Sequence, residues 1–463
     1  MNKILAAAAA AVLLGAAAGV HAQQPPTSSP HGAPDAPTRL QQTPETPSFE
    51  VVGGIADPHL ASLLQEVLER NPDVAALAAS ARAAAEKAPQ VKALPDPTAS
   101  LTAYLLTPET RVGPQYAMVS LSQKFPWFGK LSLKEQAALA GAAAARAGVE
   151  ARRLSLVTEV RRLAYELAFV AAETTEVTKD RSTLTHYEEL ARVRYATGAG
   201  LEQGVIKIQA EITRDDTRLL DIGTRRSSLE ARLNALRDRP DGTPLPKFTL
   251  PAPSQPKLVT AVLRSTALAR RPELSEADAR IAASERLIKL AKKGYKPDIT
   301  AGLRYTLVGR RRDPAGEAVP PEDNGKDVLG LFAGINLPVH RAKLAAGVEE
   351  ATQERLAAEA SKRAVIARIE GNLGDLTHRL DSTWQQLRLF EDVLSVQAEA
   401  SLRSAEAGYT AGTLNALDLL DAERVLLQVR IATERSRADF AEAQARLEGV
   451  IGAPLSQAME NER

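Results

Sequence analysis

The sequence predicts a mostly α-helical chain with a smaller strand-forming portion, built as an internal two-fold repeat. Three observations carry that expectation. Two long blocks, residues 127–239 and 339–453, contain no proline and are dominated by helix formers. Each block is preceded by two segments of about ten residues in which apolar and polar side chains alternate. The same order of turn, alternating segments and helical block occurs in both halves. Composition agrees: 44% of the 463 residues are hydrophobic but only 4% are aromatic, and alanine and leucine supply most of the apolar content, as long helices require.

Residues 1–22 have the pattern of a secretory signal. Lys3 gives a positive start, Ile4 to Val20 is apolar and alanine-rich, and Val20-His21-Ala22 offers small residues for cleavage before Gln23. An uncleaved N-terminal anchor is the alternative, but the run is short for a membrane span. Residues 23–50 hold seven prolines with little apolar content and are expected to be a disordered leader. The first repeat is placed at 51–239. A proline-rich linker with six prolines follows at 240–256, then a second repeat at 257–455 and a tail at 456–463.

Each repeat opens with short helices. Asp57-Pro58 reads as an N-cap with proline at the first helical position, and Asn71-Pro72 and Arg271-Pro272 open the next helix in either half. These helices end near Pro95-Asp96 and Pro297-Asp298, after which the period changes from helical to alternating. Four strands are expected, at 98–106, 116–125, 298–308 and 328–337. In the third, Ile299, Ala301, Leu303, Tyr305 and Leu307 face one way and Thr300, Gly302, Arg304 and Thr306 the other. Strands of this length with one apolar face suit a transmembrane barrel, although a soluble hairpin on a core has the same pattern. The intervening loops, 107–115 and 309–327, are polar, and Arg310, Arg311 and Arg312 read as a solvated loop tip.

The long blocks are expected to be helical hairpins at about 131–238 and 341–452. Leu156, Val160, Leu163, Leu167 and Val170 step by four and three, as in a coiled coil. One interruption is expected in each block, at Thr197-Gly198-Ala199-Gly200 and at Ala411-Gly412-Thr413. The arm 131–197 would extend on the order of 100 Å at ~1.5 Å per residue. So long a rod must bury its apolar stripe against neighbouring hairpins. Four strands, moreover, cannot enclose a lumen, and an open sheet edge cannot face lipid. If the strands are membrane strands, several copies must join, giving eight strands from a dimer or twelve from a trimer.

The doubled order and the stretch YTAGTLNALDLLDAERVLL (409–427) resemble the TolC-like outer-membrane efflux factors over roughly residues 55–455. Tyr409, Gly412, Thr413, Asp418 and Asp421 match the second hairpin turn of that family. The resemblance implies a homotrimer with a twelve-stranded barrel in the outer membrane and an α-helical tunnel in the periplasm. It implies an outer-membrane channel of a tripartite efflux or secretion system, embedded in outer-membrane lipid. The implied partners are an inner-membrane pump, of the resistance-nodulation-division type, and a periplasmic adaptor protein. SQKFPWFGKL (122–131) resembles the branch serving heavy-metal cation pumps.

Asp418 and Asp421 lie three apart and share one face of a helix. Asn415 is a good N-cap, which would place Asp418 at N3, where it favours the helix dipole and can complete a capping box. The resemblance implies a second role, in which both aspartates line a narrow ring at the periplasmic end and Tyr409 hydrogen-bonds neighbouring helices when that ring is closed. Like charges crowded there would attract cations. The family's best-known member has an arginine two residues after the turn glycine, where this chain has Leu414. In the first hairpin Gly204 and Lys207 occupy the positions of the two aspartates, so Lys207 is a candidate partner for them.

No enzymatic chemistry is expected. The chain has no cysteine, and histidines 21, 31, 59, 186, 340 and 378 lack metal-ligand spacing. No phosphate loop, nucleophile elbow or HExxH occurs, and no cofactor is implied. With 58 basic and 57 acidic residues, nothing points to nucleic acid. The competing expectation is a secreted helical scaffold or periplasmic adaptor without a pore.

Overall fold

A computed structural model describes residues 54–255 and 257–460. The expected signal segment 1–22 and leader 23–50 lie outside the described residues. In chain order the elements of the first half are α1 (Pro58–Arg70), α2 (Pro72–Lys92), β1 (Thr98–Ala103), β2 (Gln115–Phe125), α3 (Lys130–Ala196) and α4 (Glu202–Leu236). Those of the second half are α5 (Thr260–Arg270), α6 (Pro272–Lys293), β3 (Ile299–Val308), α7 (Pro314–Ala318), β4 (Val328–Ile335), α8 (Arg341–Leu389), α9 (Ser395–Ala411), α10 (Ala416–Ile451) and α11 (Leu455–Glu460). The described residues divide into two compact units: 85–140 with 281–356, and 54–84 with 141–280 and 357–460.

The first unit holds a four-stranded antiparallel sheet in the order β1-β2-β3-β4, so the central pair joins the two halves of the chain. Register places every apolar row on one face. Leu101, Val119, Tyr305 and Leu329 form one row, Ala99, Leu121, Leu303 and Leu331 the next, and Phe125, Ile299 and Ile335 another. The other face carries Ser100, Ser120, Arg304 and Gly330 in one row, with the Arg304 guanidinium 5.2 Å from the centre of the Phe332 ring. The apolar face is uncovered: Leu101, Leu121, Leu303 and Leu331 are 47%, 51%, 46% and 84% exposed. Both edges, β1 and β4, are unpaired in the single chain.

Strand ends differ from those expected. The strand predicted over 98–106 stops at Ala103; Tyr104 still donates its N–H to Tyr116, but Leu105 and Leu106 lie wholly in the loop. The third strand begins at Ile299 rather than 298, because the Asp298 carboxylate is engaged by the Trp127 N–H at 3.0 Å and the Lys130 ammonium at 2.7 Å. The fourth ends at Ile335 instead of 337, where Asn336 closes the ladder by accepting the Asp298 N–H on its side chain. Within the loop expected at 309–327, Pro314 starts the single-turn helix α7.

The second unit is helical. α1 begins as its sequence predicts, with the Asp57 carboxylate accepting the N–H groups of His59 and Leu60 and Pro58 in the first turn. The stripe Leu156, Val160, Leu163, Leu167 and Val170 is buried in one core cluster with Leu60, Leu64 and Val67 of α1, Leu229 and Leu233 of α4, and Ala438, Ala441 and Ala445 of α10. A buried ion pair, Arg161 to Glu448 at 2.7 Å, crosses this region from α3 to α10. The second helical block has the one expected turn, and its first arm carries one π-helical turn, Phe390–Leu394, where α8 continues into α9. It contains no glycine or proline, so residue types give no hint of it; Arg437 of α10 holds it through Glu391 at 2.8 Å. The expected tail starts as helix α11, because the Glu448 carboxylate accepts the Leu455 N–H at 3.0 Å.

Candidate functional site at the hairpin turns

The two turns expected from the glycines join α3 to α4 and α9 to α10. Gly198 and Gly412 have φ of 71° and 79°, a left-handed conformation that penalises any side chain. Gly200 is not left-handed, but the position of a Cβ there would lie 3.2 Å from the Arg194 Cβ. In the second turn the Gly408 carbonyl accepts the N–H groups of Thr413 and Leu414 at 2.9 and 3.1 Å and the Thr413 hydroxyl at 3.1 Å. Leu414 folds back so closely that a Cβ on Gly408 would sit 2.7 Å from its Cδ1.

Both turns border one cleft of about 380 Å³, lined among others by Arg194, Gly204, Tyr409, Leu414, Leu417 and Asp418. Tyr409 is buried, with its ring beneath the Arg194 guanidinium at 4.7 Å, and the same arginine donates to the Tyr409 carbonyl. Such a stacked cation contributes ~0.5–1 kcal/mol at a partly wet site. Arg194 and Gly408 therefore belong to the site, although the sequence reading did not select them. An arginine four residues before a glycine turn is an ordinary helix-end residue, and only the fold sets it over a tyrosine 215 residues away.

Asp418 is the N3 residue of a capping box. Its carboxylate accepts the Asn415 N–H at 3.2 Å, while the Asn415 side chain accepts the N–H groups of Leu417 and Asp418 at 2.7 and 3.2 Å. Asp421 is exposed one turn on and does not line the cleft. Within the chain the two share a helix face but have no common partner. Lys207 is exposed and forms no ion pair with either. Gly204 instead lets α4 approach α10: its Cβ position would be 3.0 Å from the Ala416 Cβ.

A second acidic group went unread in the sequence. Asp180 of α3, Asp215 of α4 and Glu423 of α10 are 7%, 6% and 4% exposed and lie within hydrogen-bond reach, Asp180 touching the other two. Burial, with these neighbouring carboxyls, pushes Asp180 up to about 9. Burial also raises Asp215 and Glu423, against the hydrogen bond each takes from Asp180. Beside them the Tyr187 hydroxyl donates to Glu406 of α9 at 2.6 Å. No local signal marked it: the four-and-three step continued from Val170 runs through 174, 177, 181 and 184 and passes over Asp180.

Comparison with known proteins bears on the fold as a whole. The sequence profile described as outer membrane efflux protein matches residues 63–237 and 263–453. A pyoverdine export outer membrane protein, OpmQ of Pseudomonas putida, is 27% identical over 195 residues, which span 41% of this chain and 38% of that protein. Outer membrane protein TolC of Vibrio cholerae is 23% identical over 423 residues, or 85% of this chain and 90% of that one. The solved structure of the outer membrane protein VceC of Vibrio cholerae superposes with a TM-score of 0.70 at 20% identity, covering 86% of this chain and 97% of that chain. The chain thus belongs to the outer membrane efflux protein family and has the TolC-like fold, mostly helical with a small antiparallel sheet, of an outer-membrane protein that extends into the periplasm.

Proposed function

We propose that this protein is the passive exit duct of a tripartite efflux system, a homotrimer gated at its periplasmic end. One observation carries the reading: the sheet presents all its apolar rows on one uncovered face while both its edges lack partners. A face of exposed leucines is stable against lipid, and unpaired edges are stable in lipid only when closed by neighbouring copies. The order β1-β2-β3-β4 alternates in direction, so β4 of one copy can pair antiparallel with β1 of the next, and three copies close a twelve-stranded barrel.

Asp418 and Asp421, repeated around a three-fold axis, would place six carboxylates near the hairpin turns. Such a ring attracts cations and narrows the passage electrostatically. The stretch Ser122–Leu131 supports heavy-metal cations as cargo, carried as substrate rather than held. The turn cleft, of mixed polar and apolar lining with Leu201, Leu414 and Leu417 exposed at the turns, suits contact with a periplasmic adaptor, which would couple the duct to an inner-membrane pump of the resistance-nodulation-division type.

Single-channel recording in planar bilayers tests the gate. Replacing Asp418 and Asp421 with alanine should raise conductance several-fold and weaken block by divalent cations. Unchanged conductance and unchanged block would remove both aspartates from the gate.

A further inference from the structure

The carboxyls of Asp180, Asp215 and Glu423 interrupt the apolar seam of the helical unit on three helices at once. On α3, Asp180 lies between Val177 of the central core cluster and Leu184 of the cluster near the turns. On α4, Asp215 lies between Ile208 and Ile222, and on α10 Glu423 lies between Leu419 and Leu427, which belong to the same two clusters. All three side chains are more than nine-tenths buried, and Asp180 Oδ1, Asp215 Oδ2 and Glu423 Oε2 each lack a hydrogen-bond partner. Buried carboxylate oxygens facing one another without a donor are strongly unfavourable, whereas one shared proton turns a repulsion into a hydrogen bond.

Among the described residues, none of the three makes an ion pair within 4.0 Å; Arg218 favours the charged form of Asp215 and Arg430 that of Glu423 only from a distance, and burial outweighs both. The charged side chains around them are engaged elsewhere. Arg181 of α3 pairs with Asp216 of α4, Arg218 of α4 with Glu173, and Arg424 of α10 with Glu211. Arg430 of α10 lies 4.0 and 3.9 Å from Glu176 and Glu399. From α9, Glu406 takes the Tyr187 hydroxyl and adds negative charge.

We propose that a proton shared by Asp180, Asp215 and Glu423 clamps α10 against α3 and α4, and that its loss releases the α10 segment bearing Asp418 and Asp421. Asp180 is the donor, since its carboxyl touches both others, and release transfers the proton from the Asp180 oxygen to solvent and leaves Asp180 as a carboxylate. That the released segment is the gate rests on the proposed duct; the clamp itself does not. Glu423 lies two positions after Asp421, so a shift of this part of the helix moves both.

The absence of native cysteine makes the test clean. Thr217→Cys on α4 and Gln428→Cys on α10, both at exposed positions, are spin-labelled in the full-length protein in detergent, and their separation is measured by pulsed electron resonance from pH 6.5 to 10. A single short distance near pH 7 should lengthen or broaden at high pH, with a midpoint near 9. Asp180→Asn, whose amide donates at every pH, should keep the short distance throughout. Should that variant fail to assemble, Glu423→Gln should reduce the change by at least half. A distance constant across the range, or a variant responding as the parent does, overturns the clamp. Bilayer conductance of the same samples tests the duct separately: a pH-dependent distance without channel activity leaves the clamp standing and removes the duct.

Discussion

Gly408 shows how one missing Cβ determines a turn. Its carbonyl gathers the N–H groups of Thr413 and Leu414, and Leu414 occupies the volume a side chain would need. Gly408→Ala should destabilise the helical unit by about 1–3 kcal/mol through overpacking. Leu414→Ala in the same chain should recover most of that loss, and thermal unfolding of the two single variants and the double variant measures the coupling. Asn415→Ala should cost about 1 kcal/mol by removing the cap. Buried acids give the opposite pH dependence from ordinary surface carboxylates. Asp180 holds its proton up to about 9 when folded but releases it in the normal acid range when unfolded. Below that range both states are protonated. As pH rises towards about 9, stability falls, since the folded state binds the extra proton. The unfolding midpoint of the helical unit should therefore be higher at pH 6 than at pH 9, and Asp180→Asn should flatten the difference.

At the scale of elements, register gives the strands their two distinct faces. Leu303 sits in a continuous row with Ala99, Leu121 and Leu331, while Ser120, one position from Leu121, belongs to the opposite face. Leu303→Lys should cost about 2–4 kcal/mol of insertion free energy if the row faces the bilayer interior. Ser120→Lys should be tolerated, and the yield of assembled protein in outer-membrane fractions distinguishes them. Alternation made these faces legible from sequence, because a side-chain period of two leaves little freedom once one face is apolar. Long α3 was legible for the same reason: Leu156, Val160 and Val170 repeat at coiled-coil spacing and are buried. Strand ends were less legible, since Asp298 and Asn336 settle them by side-chain hydrogen bonds between distant segments. The π-turn at Phe390–Leu394 was not legible at all, because it depends on packing and on Arg437 rather than on any breaker residue. Of the turn site, the glycines and the Asn415–Asp418 cap could be read locally. Arg194 over Tyr409 and the Asp180 cluster could not, since each joins helices from different halves of the chain.

For the whole molecule, the central requirement is closure. Among the described residues, one chain offers four strands, two bare edges and an uncovered apolar face, a set that a single copy leaves unsatisfied in lipid. Even strand number per chain lets identical copies join edge to edge without reversing direction, and eight strands from two copies or twelve from three both meet the geometric condition. The proposed duct takes three. Native mass spectrometry of the protein extracted from outer membranes in mild detergent tests this most directly: the account predicts a complex of three mature chains that persists without added crosslinker, and a chain that stays monomeric and dissolves without detergent would contradict it.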